Sequence, residues 1–188
     1  FRRTVALGDN VTNPKEFDGL WKMCDPNQVI AAGAGATNNL SLTMLDELLD
    51  AVPNGADFLM MRAGTIRYYK NLLRSSGTDA QMLQLKDFGA PVLAHNGVPI
   101  IINDFLPATE TLAGTALTGS NYCSVWAGRL NEADGLHGLY GGPNAGIVVE
   151  DIGTVQNKDA TRTRLKWYCS LALKATKSLA RLRGVSNV

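Results

Sequence analysis

The side chains most capable of chemistry are few and scattered. His95 and His137 are the only histidines, and neither has a carboxylate or cysteine at metal-ligand spacing, so turn or surface roles are expected for both. Cys24, Cys123 and Cys169 are odd in number, far apart and outside any CxxC spacing. Free buried thiols are expected there in place of a disulfide or a metal centre. Cys123-Ser124 lies in an apolar run without an adjacent base, and no G-x-S-x-G elbow occurs. The carboxylate pairs Asp46 with Asp50, Glu132 with Asp134 and Glu150 with Asp151 read as helix-face or loop charges, with no context for general acid or base work. Two glycine-rich stretches invite comparison with phosphate cradles. Ala32-Gly33-Ala34-Gly35-Ala36 has Asn38 where a dinucleotide turn places its third glycine, and Gly141-Gly142-Pro143-Asn144-Ala145-Gly146 lacks the lysine and serine of a P-loop. Plain loops are expected at both. No catalytic residue, metal or cofactor is assigned, and a small α/β nucleotide-binding enzyme using the Gly33 or Gly141 loop stands as the alternative from another class.

The elements that must position these residues follow from periodicity and turn chemistry. In Ser41 to Val52 (SLTMLDELLDAV), Leu42, Leu45, Leu48, Leu49 and Val52 form one stripe, Ser41 or Thr43 can cap, and Asp46 and Glu47 suit the N-terminal dipole. Asp57 to Met61 is a short buried strand. Thr65 to Ser76 is a second helix with Ile66, Tyr69, Leu72 and Leu73 inward and Gly77 as its stop. Next comes His95-Asn96-Gly97-Val98-Pro99-Ile100-Ile101-Ile102-Asn103-Asp104, a turn delivering a strand. Asn96 and Gly97 take positive φ cheaply, Pro99 belongs at the first residue of the strand or on a sheet edge, and Ile100 to Ile102 are expected to be buried on both faces. Ala90 to Ala94 precedes that turn as a second extended piece. Pro107 to Ser120 reads as a long surface loop, Tyr122 to Trp126 and Gly146 to Ile152 as strands, and the glycine-rich run from Gly135 to Pro143 takes no assignment. From Arg164 to Thr176, apolar and polar residues alternate with period two, which predicts one long strand at the edge or spine of an extended sheet.

The chain has 188 residues, 45% hydrophobic and 19% charged, enough for one good core or two small ones. No apolar run approaches the ~20 residues of a membrane span and none resembles a signal peptide, so a soluble intracellular product with no membrane partner is expected. Phe1 stands where a methionine would begin a complete product, and Phe1 to Leu7 could be the last turns of a helix stopped by Gly8, so a fragment or processed product is expected. The net charge of +1 is unevenly spread. From residue 158 onward eight basic residues meet one acid, which gives that tail +7 and leaves −6 on the rest. Attraction between the two regions, within one chain or between neighbouring copies, is favoured over a nucleic-acid surface, because the basic residues alternate with apolar ones.

Three blocks together resemble one family. Gly8-Asp9-Asn10 followed by Phe17-Asp18-Gly19-Leu20-Trp21 resembles the passage after the spine helix of tailed-bacteriophage major capsid proteins, whose fold, the Johnson fold, is shared with encapsulins. Asn96-Gly97-Val98-Pro99-Ile100 resembles the family's G-x-P-[IV] strand opening, and Val148 through Arg162-Thr163-Arg164-Leu165 to Ala180-Arg181-Leu182-Arg183-Gly184-Val185 resembles its closing sheet. The resemblance implies an α+β fold with an axial domain, a sheet flanked by helices, at 40–135. It also implies a peripheral domain with long antiparallel strands, formed by 1–39 and 136–188. It implies a non-enzymatic, self-assembling subunit of an icosahedral phage or prophage shell around double-stranded DNA, found in the virion and, during assembly, in the host cytoplasm. Copies of itself, scaffold and portal proteins and non-specific contact with packaged DNA are the implied partners. An encapsulin-like shell around protein cargo is the alternative. Arg162, Arg164, Lys166, Lys174, Lys177, Arg181 and Arg183 are the candidate intersubunit or DNA-facing residues, and Asn96, Gly97 and Pro99 form the strand-opening turn. The family's N-terminal arm, extended loop and most of its spine helix have no counterpart here, so weak association of this piece alone is expected. Some relatives crosslink through a lysine, an asparagine and a glutamate, but Lys166-Trp167-Tyr168-Cys169 carries no carboxylate and Thr161 stands at the asparagine position, which argues against isopeptide chemistry here.

Overall fold

The computed structural model describes residues 1–32, 38–77, 81–84, 89, 91–110, 121–142 and 144–187. The Gly33-to-Ala36 part of the first glycine-rich stretch and most of the expected Pro107-to-Ser120 loop lie outside them. In chain order the elements are α1 (Arg2–Leu7), α2 (Leu20–Met23), β1 (Val29–Ala31), α3 (Leu42–Asp50), β2 (Phe58–Met61), α4 (Ala63–Ser75), β3 (Gln81–Gln84), β4 (Pro91–His95), β5 (Val98–Ile102), β6 (Tyr122–Gly128), β7 (Leu136–Tyr140), β8 (Ile147–Thr154), β9 (Thr161–Trp167), β10 (Cys169–Leu173) and β11 (Leu179–Ser186).

A mixed seven-stranded sheet, in the order β1-β11-β6-β2-β5-β4-β3, forms the centre. Alternation along its strands sends side chains to two different cores. Leu59 and Met61 of β2, Ile100 of β5, Val125 and Ala127 of β6, and Ala180 and Leu182 of β11 face the helices, meeting Leu45, Leu48 and Val52 from the α3 side and Ile66, Tyr69 and Leu73 of α4. Phe58, Met60, Trp126 and Leu179 face the opposite way, where Ala6 of α1, Leu20 of α2, Leu106 and Leu136 close over them. Both helices form as their stripes predict. Ser41 caps α3 by accepting from the Met44 N–H at 3.2 Å, and α4 ends before Gly77, which takes φ +66°. Asp46 and Glu47, however, lie beyond the first turn of α3, so the dipole role expected of them is not theirs.

The strand-opening turn forms as predicted: Asn96 (φ +48°) and Gly97 (φ +82°) make a two-residue turn with His95 opposite Val98. Pro99 differs from expectation. It is the second residue of β5, which lies inside the sheet between β2 and β4. Register makes this possible. Pro99 sits opposite Ala94, one step from the turn-closing pair, and pairing with β2 begins only at Ile100, so no ladder bond needs its missing N–H. Ile100 is buried, but Ile101 and Ile102 are 42% and 52% exposed, against the expectation of burial on both faces. Past Met60 the six-residue α1 covers little of the sheet, leaving a groove of about 150 Å³ lined by Phe1, Arg2, Val5, Met60, Ile101, Ile102 and Asn103.

The predicted thirteen-residue strand is the largest correction. Its alternation persists, yet it divides at Tyr168 into β9 and β10, which pair with different partners, β8 and β7, in two separate two-stranded ladders. It is therefore neither the edge nor the spine of an extended sheet.

Candidate functional site

The two ladders form one antiparallel ribbon from Leu136 to Leu173 with a joint in its middle. Tyr140 pairs with Cys169 and Ile147 with Trp167, so the excursion 141–146 on one strand faces Tyr168 alone on the other. Tyr168 bridges it: its N–H donates to the Gly146 carbonyl at 2.9 Å and its carbonyl accepts from the Gly141 N–H at 3.0 Å. A Cβ on Gly146, already at φ +81°, would stand 2.2 Å from the Tyr168 oxygen, so only glycine fits. The second glycine-rich stretch is thus used for ribbon geometry, with Gly141 and Gly146 both bonded to Tyr168.

The inner half of the ribbon is anchored. Leu136 is buried, and Leu171 and Leu173 of β10 pack against the Trp126 core. The outer half, β8 with β9, is supported mainly by its own ladder. Register places Ile147 opposite Trp167 and Val149 opposite Leu165 on one face, at 43%, 48%, 62% and 72% exposure. Phe1 stacks on Trp167 with ring centroids 5.0 Å apart. The other face is charged: Lys166 reaches Glu150 at 2.5 Å and Arg164 reaches it at 3.8 Å. The Lys166 hydrogen bond holds the Glu150 carboxyl below the ordinary carboxylate range.

The seven basic residues named from sequence do not form one surface. Arg162, Arg164 and Lys166 lie on β9, and Lys174 and Lys177 are exposed between β10 and β11. Arg181 is a correction. Period two along β11 turns it toward the Trp126 face, where its side chain is only 12% exposed. Its guanidinium lies 3.5 Å above the Trp21 ring, donates through Nε to Ser124 Oγ at 2.7 Å and pairs with Glu110 at 3.4 Å. Burial pushes the Glu110 carboxyl up, against the opposing pull of Ser124 and Arg181, and pulls the Arg181 guanidinium down. Arg181 is therefore mostly enclosed within the chain, and Arg183, two residues along the same strand, is half-buried.

His95 is a second correction. It is buried, with Nε2 3.0 Å from Asp46 and Nδ1 3.1 Å from the Tyr69 hydroxyl, and so joins α3 and α4 to the β4–β5 turn. Asn96 donates to the same carboxylate at 2.7 Å. The Asp46 partner stands 49 residues away, where no local spacing could reveal it. All three cysteines are free: Cys123 is buried and Cys24 and Cys169 are half-buried, and burial pushes the Cys24 and Cys123 thiols up to about 11. Among the described residues no group of three or more His, Cys, Asp or Glu is placed to hold a metal ion, and no helix is long and apolar enough to cross a membrane.

No family model matches the chain, and no curated protein does. Solved structures do. The chain is similar to the holo-SrpI encapsulin complex from Synechococcus elongatus PCC 7942, with TM-score 0.74 and 25% identity over 91% of this chain and 57% of that one. The capsid of an empty GTA particle matches with TM-score 0.62 and 13% identity over 98% of this chain and 60% of that one. A phage-related protein from Bordetella bronchiseptica RB50 matches with TM-score 0.51 and 11% identity over 85% and 56%. The chain spans somewhat more than half the length of each. With its helix-flanked sheet and jointed ribbon, it has the α+β fold of the phage major capsid proteins and encapsulins.

Proposed function

We propose that this chain is part of a self-assembling shell subunit, a structural protein and not an enzyme. The observation that carries the reading is the outer ribbon. A two-stranded ladder alone is marginal in water, and this one presents Ile147, Val149, Leu165 and Trp167 together on a face that only Phe1 touches, at Trp167, among the described aromatic contacts. Such a face is suited to burial against another copy. In this reading 40–135 is the axial part and 1–39 with 136–188 the peripheral part, β1 and β11 joining them through the common sheet.

The finer assignment is a phage or prophage capsid enclosing double-stranded DNA, located in the virion and assembled in the host cytoplasm with scaffold and portal partners. Arg162, Arg164, Lys166, Lys174 and Lys177 are then the basic side chains available to neighbouring copies or to DNA phosphates, by contact that ignores sequence. The likeness to the encapsulin complex, at 25% identity, favours a second reading, a shell around protein cargo. Expression of the complete gene product, electron microscopy of the particles and analysis of their contents decide between the two. Nuclease-protected DNA supports the capsid and a co-purifying protein supports the encapsulin. A product that remains monomeric at high concentration overturns both.

A further inference from the structure

α3 and α4 cover the same face of the sheet, and each carries exposed charge of one sign only. On α3 (LTMLDELLD) the exposed charges are Asp46, Glu47 and Asp50, with no basic residue in the helix. On α4 (AGTIRYYKNLLRS) they are Arg67, Lys70 and Arg74, with no acid. At 100° per residue those three bases fall within about 60° of one another, a single strip along the helix. Neither pattern serves the isolated chain. Like charges three and four residues apart repel on a helix, and Asp50 at the C-terminal end of α3 opposes the dipole. Asp46 is bonded to His95 and Asn96, but among the described residues Glu47, Asp50, Arg67, Lys70 and Arg74 enter no ion pair, although the two helices share one face.

We propose that the acidic strip of α3 in one copy docks on the basic strip of α4 in the next. The proposal rests on the shell reading and supplies one of its contacts. The partner surface is a second copy of this chain because the same molecule carries a complement of equal size and opposite sign. Two different patches meet, so the contact is heterologous, and repeated contacts of that kind form a ring where the rotation between copies closes and a filament where it does not. Charge steers the encounter and fixes which neighbour lies on which side.

The test uses the complete gene product. Glu47→Lys with Asp50→Lys reverses one strip, Lys70→Glu with Arg74→Glu reverses the other, and a fourth protein carries all four changes. All four exchanged positions are exposed, so folding is checked by circular dichroism and melting of each protein. Particle yield by electron microscopy and sedimentation is expected to fall about tenfold or more for each single-strip reversal and to return within about twofold of the parent in the combined variant. Parent assembly is also expected to slow as salt rises from about 0.05 M to about 0.5 M, which reads the same contact without any substitution. The proposal is overturned if folded single-strip variants assemble like the parent, if the combined variant stays unassembled, if parent assembly ignores salt, or if the α4 reversal lowers only retained DNA while particles form normally. A parent that forms no particles overturns the shell reading itself, a result distinguishable from these four.

Discussion

Arg181 and Glu110 meet in a compartment walled by Trp21, Trp126 and Ser124, with side chains only 12% and 4% exposed. Glu110 Oε2 accepts from Ser124 at 2.8 Å and from the Gly184 N–H at 3.3 Å, while Oε1 has no hydrogen-bond partner among the described residues. Removing the guanidinium leaves a buried carboxylate without its cation. Arg181→Ala is expected to destabilise the folded chain by about 3–5 kcal/mol, measured by urea unfolding at neutral pH. A loss below about 1 kcal/mol would show that the pair is solvated. The raised Glu110 carboxyl also has a pH signature. Because the folded state holds this proton more tightly than the unfolded chain, its contribution is present below the ordinary value of 4.5 and is lost as pH rises through the raised one. Relative to Glu110→Gln, the parent is therefore expected to lose stability as pH climbs above about 4.5, and a pH-independent difference between the two would contradict this. Nothing in the alternation of the closing strand distinguished Arg181 from Arg164. Each is followed by a leucine, Leu165 or Leu182, and only the sheet that each strand joins decides which is swallowed.

At the scale of elements, the readable parts were those governed by local rules. The α3 and α4 stripes, the Ser41 cap and the Asn96-Gly97 turn depend on residues a few positions apart, and all three form. The joint at Tyr168 depends on what lies across the ribbon. Period two is blind to a change of partner, so an unbroken alternation from Arg164 to Thr176 concealed two strands, and the glycines that cause the break sit more than twenty positions upstream. Those glycines make the prediction at this scale. Gly146→Ala places a methyl in the Tyr168 carbonyl at an unfavourable φ, so the ladder must separate there, at a cost of about 2 kcal/mol or more. Limited trypsin digestion should then cut faster at Arg162, Arg164 and Lys166 than in the parent. Unchanged cleavage would mean that the excursion can rearrange without opening the ribbon. His95 failed to stand out for a similar reason: its partners Asp46 and Tyr69 come from two other elements.

For the whole molecule, the separation between what folds the chain and what faces outward is sharp. Both cores lie on the central sheet, and the outer ribbon contributes to neither. Val149→Thr with Leu165→Thr, which keeps strand-favouring residues across the ladder, is accordingly expected to change monomer stability by no more than about 0.5 kcal/mol, while lowering particle formation by the complete product severalfold. Particles that form normally would remove the ribbon from the assembly contacts. The overall likeness to shell proteins was legible because three short blocks fall in the right order, although each is weak alone. The six-against-one joint has one further consequence. Inward of Tyr168 the amides share the fate of the Trp126 core, and outward of it they depend on a ladder that can unzip without disturbing anything else. In deuterium the chain should therefore label in two waves, β8 and β9 first and β7 and β10 only with the central sheet, with the frontier falling at a single tyrosine.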